Sequence, residues 1–247
     1  MNITGNTILI TGGNSGIGRA LAEALLAKGN NVIVTGRDAT KLAAVKAANP
    51  AIHTRELDVD DAAAITDFSA QIVEEFPELN VLVNNAGIMR PEDVKANDRA
   101  TAEATITTNL LAPIRLTAAL LQHLLSRPSG AVLTVSSGLA YLPRGPFPTY
   151  CATKAAIHSY SQTLRVQLRG TGLQVIELVP PYVQTELTGK QQASDPNAMP
   201  LDDYISETLT LLEQQPNAEE IIVQRASFQR FAEREGRYAE SFARLNG

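Results

Sequence analysis

The clearest chemical signal in the sequence is a tyrosine followed by a lysine four residues later, Tyr150 and Lys154. On a helix this spacing places both side chains on one face, so the ammonium lies close to the phenol oxygen. A free tyrosine has a pKa of about 10, and a neighbouring cation lowers such a value by about 1–3 units. The pair therefore predicts a general acid or base that exchanges a proton with a carbonyl or hydroxyl oxygen.

Ser137, thirteen residues before the tyrosine, extends this group. Its hydroxyl can hold a substrate oxygen by a hydrogen bond and so orient it. A Ser-Ser pair such as Ser136-Ser137 also ends many ordinary strands, so the serine is informative only together with the other two residues. Cys151 is predicted to pack within the helix, because no histidine lies near it in sequence to activate a thiol.

A glycine-rich segment lies between the first candidate strand and the first candidate helix. Gly12 can adopt a backbone conformation closed to residues with a Cβ, Gly16 lets the main chain approach a diphosphate, and Gly18 lets the helix pack close to the sheet. Free N–H groups at the helix start then face the phosphates. Glycines also make ordinary turns, but this position favours dinucleotide binding. The predicted contacts are Gly12, Asn14, Ser15, Gly16, Ile17 and Gly18.

The identity of the nucleotide depends on the end of the second strand, Thr35-Gly36-Arg37-Asp38. Gly36 leaves no acid there to bind the ribose 2′-hydroxyl of NAD, and Arg37 offers donors suited to the 2′-phosphate of NADP. Arg37 could instead be a solvated surface charge or pair with Asp38. NADP(H) is therefore the favoured cofactor, with NAD(H) as the alternative.

Short apolar runs alternate with longer stretches of helical period, which is typical of βαβ units. This alternation predicts one α/β domain over residues 1–247: a Rossmann-like doubly wound parallel sheet of about seven strands with helices on both faces. The predicted strands are Thr7–Thr11, Asn31–Thr35, Ile52–Glu56, Leu79–Asn84, Gly130–Ser136, Gln174–Val179 and Ile221–Val223. The predicted helices are Gly16–Lys28, Ala39–Ala48, Asp60–Glu75, Arg99–Leu125 and Tyr150–Arg169.

Composition excludes several classes of protein. Hydrophobic residues make up 44% and charged residues 19% of the chain, which suits a packed globular protein. The net charge is −5 and no basic run is present, so nucleic acid is not an expected partner. The single cysteine and three scattered histidines predict neither a disulfide nor a metal site. With no targeting segment or long apolar run apparent, we expect a cytoplasmic protein that does not bind membranes.

Further motifs join these residues: Asn84-Asn85-Ala86-Gly87 after the fourth strand, and Asn109 in the long helix. In this order, and over roughly residues 5–187, the sequence resembles the short-chain dehydrogenase/reductase family, of the short type and similar to its DltE-like members. The resemblance implies that Ser137, Tyr150, Lys154 and Asn109 are catalytic. Lys154 would also bind the ribose hydroxyls, and Asn109 would position a water that links the lysine to solvent.

Further cofactor contacts are implied by the same resemblance. Asp58 and Val59 would meet the adenine, although Asp58 could simply cap a helix. Asn85, Ala86 and Gly87 would line the adenosine ribose, or only stabilise their loop. Pro180, Val183 and Thr185 lie in a segment that meets the nicotinamide. Pro181 stands where the family usually has glycine, so the local backbone is expected to differ.

The last third of the chain is predicted to shape the substrate site. Residues 181–215 are interpreted as a substrate loop or lid, with the long loop at 181–200, or as a variable surface loop. Residues 225–245 carry an apolar stripe that predicts a C-terminal helix interrupted or jogged at Gly236, packed on its own domain, on another subunit or over the pocket. The candidate substrate contacts are Ser137, Leu139, Phe147 and Tyr182.

These residues predict an NADP(H)-dependent reductase of small or medium, mostly apolar carbonyl compounds. The alternatives are an NAD-dependent secondary-alcohol dehydrogenase and a non-catalytic sensor of NADP(H). The helix that carries Asn109 has more apolar residues than one core-facing stripe needs. This second apolar face predicts a homodimer, with a tetramer as the alternative.

Overall fold

The structure is a computed structural model that describes residues 1–96 and 99–247. Within these residues seven strands form one sheet in the order β3-β2-β1-β4-β5-β6-β7, and every neighbouring pair is parallel. The strands are β1 Thr7–Thr11, β2 Asn31–Gly36, β3 His53–Glu56, β4 Leu79–Asn84, β5 Gly130–Val135, β6 Leu173–Val179 and β7 Glu220–Ile222. The predicted doubly wound fold is confirmed.

Both faces of the sheet are buried, which explains why the central strands are almost wholly apolar. Ile8 and Ile10 of β1 point into one core, whereas Leu9 points into the other, where it meets Leu82 and Val132 of the neighbouring strands. The placement of successive strands reverses at β1, because β2 and β3 lie on one side of it and β4 to β7 on the other. The crevice at the carboxyl ends of β1 and β4 is where open α/β sheets bind ligands.

Helices cover both faces of the sheet. Their bounds are α1 Gly16–Ala27, α2 Ala39–Ala48, α3 Ala62–Glu75, α4 Arg99–Ile106, α5 Ala112–Leu125, α6 Pro148–Gln167, α7 Lys190–Ala193, α8 Leu201–Gln214, α9 Gln224–Arg230 and α10 Tyr238–Asn246. Short 3₁₀ turns lie at Val94–Ala96 and Gly138–Ala140.

The long helix predicted at 99–125 is continuous but not uniform. One π-helical turn, Thr107–Leu111, joins α4 to α5. Its 27 residues are long and apolar enough to cross a bilayer by length and composition alone. In the fold, however, Leu116 and Leu120 pack into the core beside the sheet, as in the core helix of a globular domain.

The last third combines the predicted loop with helices. The long loop at 181–200 is present and holds the short α7, as expected. The rest of the region 181–215 is a full helix, α8, because Tyr204, Ile205 and Leu209 form an apolar face in the core. The C-terminal helix is interrupted at Gly236, where a turn with φ +68° separates α9 from α10. Phe242 of the predicted stripe is exposed, and the buried side chain of α10 is Ser241.

Candidate active site

Helix α6 carries the tyrosine and the lysine, and both are almost fully buried. Tyr150 is 6% exposed and Lys154 is 5% exposed. The Lys154 Nζ donates a 2.8 Å hydrogen bond to the Val135 carbonyl at the end of β5, and it lies 5.6 Å from the centre of the Tyr150 ring. The predicted shared helix face is therefore present, with the ammonium anchored to the neighbouring strand.

Ser137 follows the end of β5 and faces the same tyrosine. Its hydroxyl oxygen accepts a hydrogen bond from the Leu139 N–H at 3.1 Å, and the hydroxyl is also hydrogen-bonded to the Tyr150 side chain. Ser137, Tyr150 and Lys154 therefore form one group, although thirteen residues of sequence separate the serine from the tyrosine.

Burial controls the ionisation of this group in the protein without cofactor. Burial raises the pKa of Tyr150 to about 12 and outweighs the opposing hydrogen bond from Ser137. Burial also lowers the pKa of Lys154 to about 8, against the attraction of the Glu177 carboxylate. The ammonium faces the Tyr150 ring and is hydrogen-bonded to Val135, and its expected lowering of the tyrosine pKa stays a prediction for the complex with cofactor.

Asn109 occupies the middle of the π-helical turn. Its Oδ1 accepts from the Ile88 N–H and its Nδ2 donates to the Ile88 carbonyl, both at 2.8 Å. A Cβ built on Gly87 would lie 3.3 Å from Asn109 Oδ1 and 3.8 Å from Lys154 Nζ. The widened turn thus holds the loop after β4 beside the lysine. Asn109 lies next to the catalytic group, and its role in positioning a water stays a prediction.

The glycine loop has the geometry that its sequence predicts. Gly12 has φ +63°, and a Cβ there would come within 2.9 Å of Ala86. A Cβ on Gly18 would lie 2.3 Å from Asn85 Nδ2 and 2.6 Å from the Gly12 carbonyl. Gly13 is also required, because its Cβ would meet Val34 at 2.6 Å, a constraint that the sequence analysis missed.

Two polar residues hold this loop in place. The Thr11 hydroxyl accepts hydrogen bonds from the N–H groups of Asn85 and Ala86, each at 3.0 Å. Asn85 Nδ2 donates to the Thr11 carbonyl at 2.8 Å and to the Gly12 carbonyl at 3.2 Å. The side chain of Asn85 therefore has the loop-stabilising role that was the alternative to ribose binding. Thr11 was not singled out, because its partners lie 74 and 75 residues away.

The residues at the start of α1 fit a bound dinucleotide. Ser15 is the N-cap, but in the part of the chain that the structure describes its side chain makes no capping hydrogen bond, and no acidic residue lies in the first turn. The positive helix end is thus left without a protein anion beside the glycine cradle. The glycines also leave room for a ligand to approach the backbone of the loop. This open backbone and the positive start of α1 together suit a diphosphate group.

The end of β2 has no carboxylate aimed at a ribose among the residues described. A Cβ on Gly36 would lie 2.7 Å from the Asn14 side chain, and Asp38 is occupied as the N-cap of α2, accepting from the Lys41 N–H. The side chain of Arg37 is 56% exposed and its Nη1 lies 3.4 Å from Asp60 Oδ2. The alternative pairing of Arg37 with Asp38 is therefore not what the structure contains.

Asp58 and Val59 lie at the same edge of the sheet, after β3. Asp58 Oδ1 accepts from the Asp60 N–H at 3.0 Å, whereas the N-cap of α3 is Asp61. Asp58 therefore stabilises its own turn rather than capping the helix. Its predicted contact with the adenine, like that of Val59, stays a prediction.

The segment after β6 returns to the glycine loop. The Pro180 carbonyl accepts from the Gly138 N–H, and Val183 is buried and bridges to Met199. A Cβ on Gly16 would lie 3.6 Å from the Thr185 side chain, so Thr185 stands beside the phosphate end of the cradle.

Gln192, a residue that the sequence analysis missed, organises this segment. It donates to the Val183 carbonyl at 2.8 Å and to Thr185 Oγ1 at 3.1 Å. It also accepts from the N–H and the hydroxyl of Thr188.

The candidate substrate contacts are only partly brought together. Leu139 lines a cavity of about 380 Å³ with Pro143, Cys151 and Phe242, but Ser137 and Tyr150 do not line that cavity. Phe147 caps the start of α6. Tyr182 is exposed and its hydroxyl donates to Asp195 Oδ2 at 3.1 Å. The substrate roles of Leu139, Phe147 and Tyr182 stay predictions.

Comparison with known proteins decides the family. The family model of the short-chain dehydrogenases matches residues 6–196. The chain belongs to this family. It is 46% identical over 197 residues to the uncharacterised oxidoreductase DltE of Bacillus subtilis (strain 168), covering 78% of this chain and 77% of that protein.

Solved structures of short-chain dehydrogenases share the fold. One from Streptomyces avermitilis superposes with a TM-score of 0.84 at 27% identity, covering 97% of this chain and 96% of the other. A serine dehydrogenase complexed with NADP+ has a TM-score of 0.78 at 27% identity, covering 87% of this chain and 92% of that one. Among the structural neighbours, some bind NAD and others NADP. This short-chain dehydrogenase is thus an oxidoreductase whose site fits a nicotinamide dinucleotide.

Proposed function

We propose that the protein is an NADP(H)-dependent reductase of small or medium carbonyl compounds, in which Tyr150 is the proton donor. The observation that carries this proposal is the buried group that Tyr150 forms with Ser137 and Lys154. The phenol is 6% exposed and burial raises its pKa to about 12, so at neutral pH it keeps the proton that a carbonyl oxygen must receive. In the reverse direction the same group would accept the proton of an alcohol.

The surrounding residues complete this chemistry. The Ser137 hydroxyl, already hydrogen-bonded to Tyr150, orients the substrate oxygen towards the phenol. Lys154 stands beside the ring, where its ammonium stabilises the phenolate that remains after proton transfer. A bound nicotinamide would supply the hydride. Asn109 holds the loop after β4 against this group through its two bonds to Ile88.

The preference for NADP(H) is supported by charge at the end of β2. Gly36 carries no side chain and Asp38 is occupied in capping α2. Among the residues that the structure describes, the exposed Arg37 has one long polar contact, to Asp60. An arginine so placed can form charge-assisted hydrogen bonds with a 2′-phosphate. A carboxylate for the 2′-hydroxyl of NAD is missing from the described residues at that strand end.

Turnover with NADPH and a panel of apolar aldehydes and ketones tests the proton donor. Tyr150→Phe should lower turnover by at least about 10²-fold and keep NADPH binding, because only the donated proton is lost. Tyr160→Phe, on the same helix, is the matched control and should keep turnover. Unchanged turnover in Tyr150→Phe would assign the acid to another residue and overturn the proposed mechanism.

A fluorescence titration with NADPH and NADH tests the cofactor. Arg37→Ala should weaken NADPH binding by about 10- to 150-fold and leave NADH binding nearly unchanged, since the contact contributes about 1.5–3 kcal/mol. Arg169→Ala removes the same charge just beyond the far end of α6 and should change neither. Equal losses for both cofactors, or a wild-type preference for NADH, would contradict the 2′-phosphate argument.

A homodimer is part of the same proposal. The α4–α5 helix keeps an apolar face towards solvent, on which Ile106 is 39% exposed and Leu110, Leu111 and Ile114 are only partly buried. A second copy would cover such a face. Light scattering should give twice the monomer mass at micromolar protein, and a monomer there would contradict the proposal.

A further inference from the structure

A carboxylate lies buried in the layer behind the catalytic group. Glu177, on β6, is 0% exposed, although the residues around it on the strand are apolar. An ionised carboxylate in such a place is costly unless several donors satisfy it. The partners of Glu177 therefore show what the residue is for.

Two side chains hydrogen-bond to this carboxylate, and a third acts on it. The Tyr141 hydroxyl donates to Oε1 at 2.9 Å, and His158 Nδ1 lies 2.7 Å from Oε2. The Ser136 hydroxyl, which donates to the Leu178 carbonyl at 3.3 Å, also helps to lower the pKa of Glu177. Burial raises the pKa of Glu177, but these bonds outweigh it and leave the pKa below its usual value. The group is therefore ionised at neutral pH.

These three residues lie in the segments that carry the active site. Ser136 directly precedes Ser137. Tyr141 follows the 3₁₀ turn Gly138–Ala140, which leads from that serine towards α6. His158 is one helical turn beyond Lys154, about 6 Å along α6. One carboxylate thus ties the end of β5, the following turn and α6 to β6.

Other charged groups face this carboxylate from the neighbouring elements. Glu220 on β7 is bound by both Nε and Nη2 of Arg230 on α9, at 2.6 and 3.0 Å. The guanidinium lies 4.5 Å from the centre of the Tyr141 ring. Atoms of His158, Glu177 and Glu220 that could ligate a metal come within 4.8 Å of one another, but Arg230 and Tyr141 already occupy the carboxylates. Glu220 is thus neutralised by Arg230. Glu177 remains as a negative charge, bound to His158 one helical turn from Lys154, and its attraction raises the pKa of the lysine.

We propose that Glu177 is a positioning residue of the active site: its carboxylate fixes the relative placement of Ser137, Tyr150 and Lys154 and is the counter-charge that keeps the buried Lys154 an ammonium. This role rests on the proposed function, in which those three residues transfer a proton. Glu177 touches none of them directly. It acts through Ser136, Tyr141 and His158, and through its charge.

The charge effect can be measured without cofactor or turnover. The chain has only six lysines, so NMR of protein labelled at lysine ¹³Cε follows each ammonium, and Lys154→Arg identifies the Lys154 signal. In Glu177→Gln the pKa of Lys154 should fall by about one unit or more, because burial then acts unopposed. Glu220→Gln is the matched control and should leave it unchanged. A Lys154 pKa that is the same in Glu177→Gln and wild type would overturn the counter-charge.

Kinetics test the positioning. Glu177→Gln should lower kcat by about 10- to 100-fold with little change in KM, and should shift the alkaline limb of the pH profile to lower pH. Glu177→Asp, which restores the charge, should recover the pH profile. An unchanged kcat and pH profile in Glu177→Gln, in an enzyme where Tyr150→Phe is inactive, would overturn the positioning role.

The experiments distinguish a failure of the proposed function from a failure of the role proposed for Glu177. If the wild-type protein turns over no carbonyl compound, the proposed function fails, while the NMR titration still decides the counter-charge. If Glu177→Gln does not fold, Tyr141→Phe and His158→Gln each remove one donor from the carboxylate. Each should then lower kcat with KM unchanged, and full activity in both would overturn the proposal.

Discussion

The glycine loop and the catalytic group are built on opposite principles. Around Gly12 and Gly18 the chain leaves out side chains, so that backbone can approach backbone and the start of α1 stays open. Around Tyr150 and Lys154 it instead buries ionisable side chains and fastens them to main-chain carbonyls or hydroxyls. The first region offers shape and free donors, and the second offers groups with shifted pKa values.

Substitutions in the two regions should therefore have different effects. A side chain added in the glycine loop would occupy space that the nucleotide or the neighbouring loop needs, so it should mainly lower affinity for the nucleotide. Changes in the catalytic group should lower turnover and should also alter stability and its dependence on pH, because buried polar and charged groups must be compensated within the fold.

Asn109 should give the largest loss of stability. Asn109→Ala leaves both the N–H and the carbonyl of Ile88 without their partner, which should lower the free energy of unfolding by about 2–4 kcal/mol in urea denaturation. Asn80→Ala is the matched control, since Asn80 also bonds to backbone, but at the opposite end of the sheet and nearer to solvent. An equal or smaller loss for Asn109→Ala would mean that the π-helical turn is held by other contacts.

Lys154 should make the protein more stable as the pH rises from about 8 to about 10.5. In this range the unfolded lysine is protonated while the buried one is not, so unfolding takes up a proton and becomes less favourable. The span between the two pKa values corresponds to about 3 kcal/mol.

Comparison with Lys154→Met isolates this effect. The buried tyrosines Tyr141, Tyr150 and Tyr204, whose pKa values are raised, lower stability above about pH 10 in both proteins, so they cancel in the difference. The difference in unfolding free energy between wild type and variant should therefore grow from pH 8 to 10. A difference that stays constant with pH would show that burial does not shift the lysine.

The sequence allowed much of this arrangement to be predicted where the constraint is local. The positive φ of Gly12 and the shared helix face of Tyr150 and Lys154 depend only on neighbouring residues. The parallel sheet follows from the alternation of apolar runs. Even α8 could have been found, because Tyr204, Ile205 and Leu209 have helical spacing.

What could not be predicted depends on residues distant in sequence. The π-helical turn leaves the apolar pattern on both sides of it intact, so the pattern at 99–125 indicates only one long helix. The direction of the Tyr150 pKa shift depends on how completely the fold buries the phenol. His158 and Glu177 meet from a helix and a strand 19 residues apart, so spacing along one element does not reveal them.

Gly18 tests the glycine-loop side of the comparison. In Gly18→Ala the new Cβ meets Asn85 Nδ2 and the Gly12 carbonyl, so the loop must shift at a cost of about 1–3 kcal/mol. NADPH affinity should fall by about 10- to 100-fold in the fluorescence titration. Gly170→Ala, at a left-handed position (φ +81°) with no atom near its Cβ, should lose stability but keep affinity. A Gly18→Ala protein with normal affinity would show that the close approach does not shape the cofactor site.

Gln192 should give the smallest effect, and it shows whether the segment 181–200 behaves as part of the cofactor site. In Gln192→Leu the Val183 carbonyl and Thr185 lose the bonds that hold Thr185 beside Gly16.

Because these bonds lie within one surface segment, their loss should open it locally rather than unfold the domain. We expect KM for NADPH to rise several-fold, with the urea midpoint nearly unchanged. Gln191→Leu alters the exposed neighbour on the same short helix and should leave both values as in wild type. If Gln192→Leu instead lowered the urea midpoint and left KM unchanged, the segment 181–200 would belong to the structural core of the domain. It would then not be part of the cofactor site.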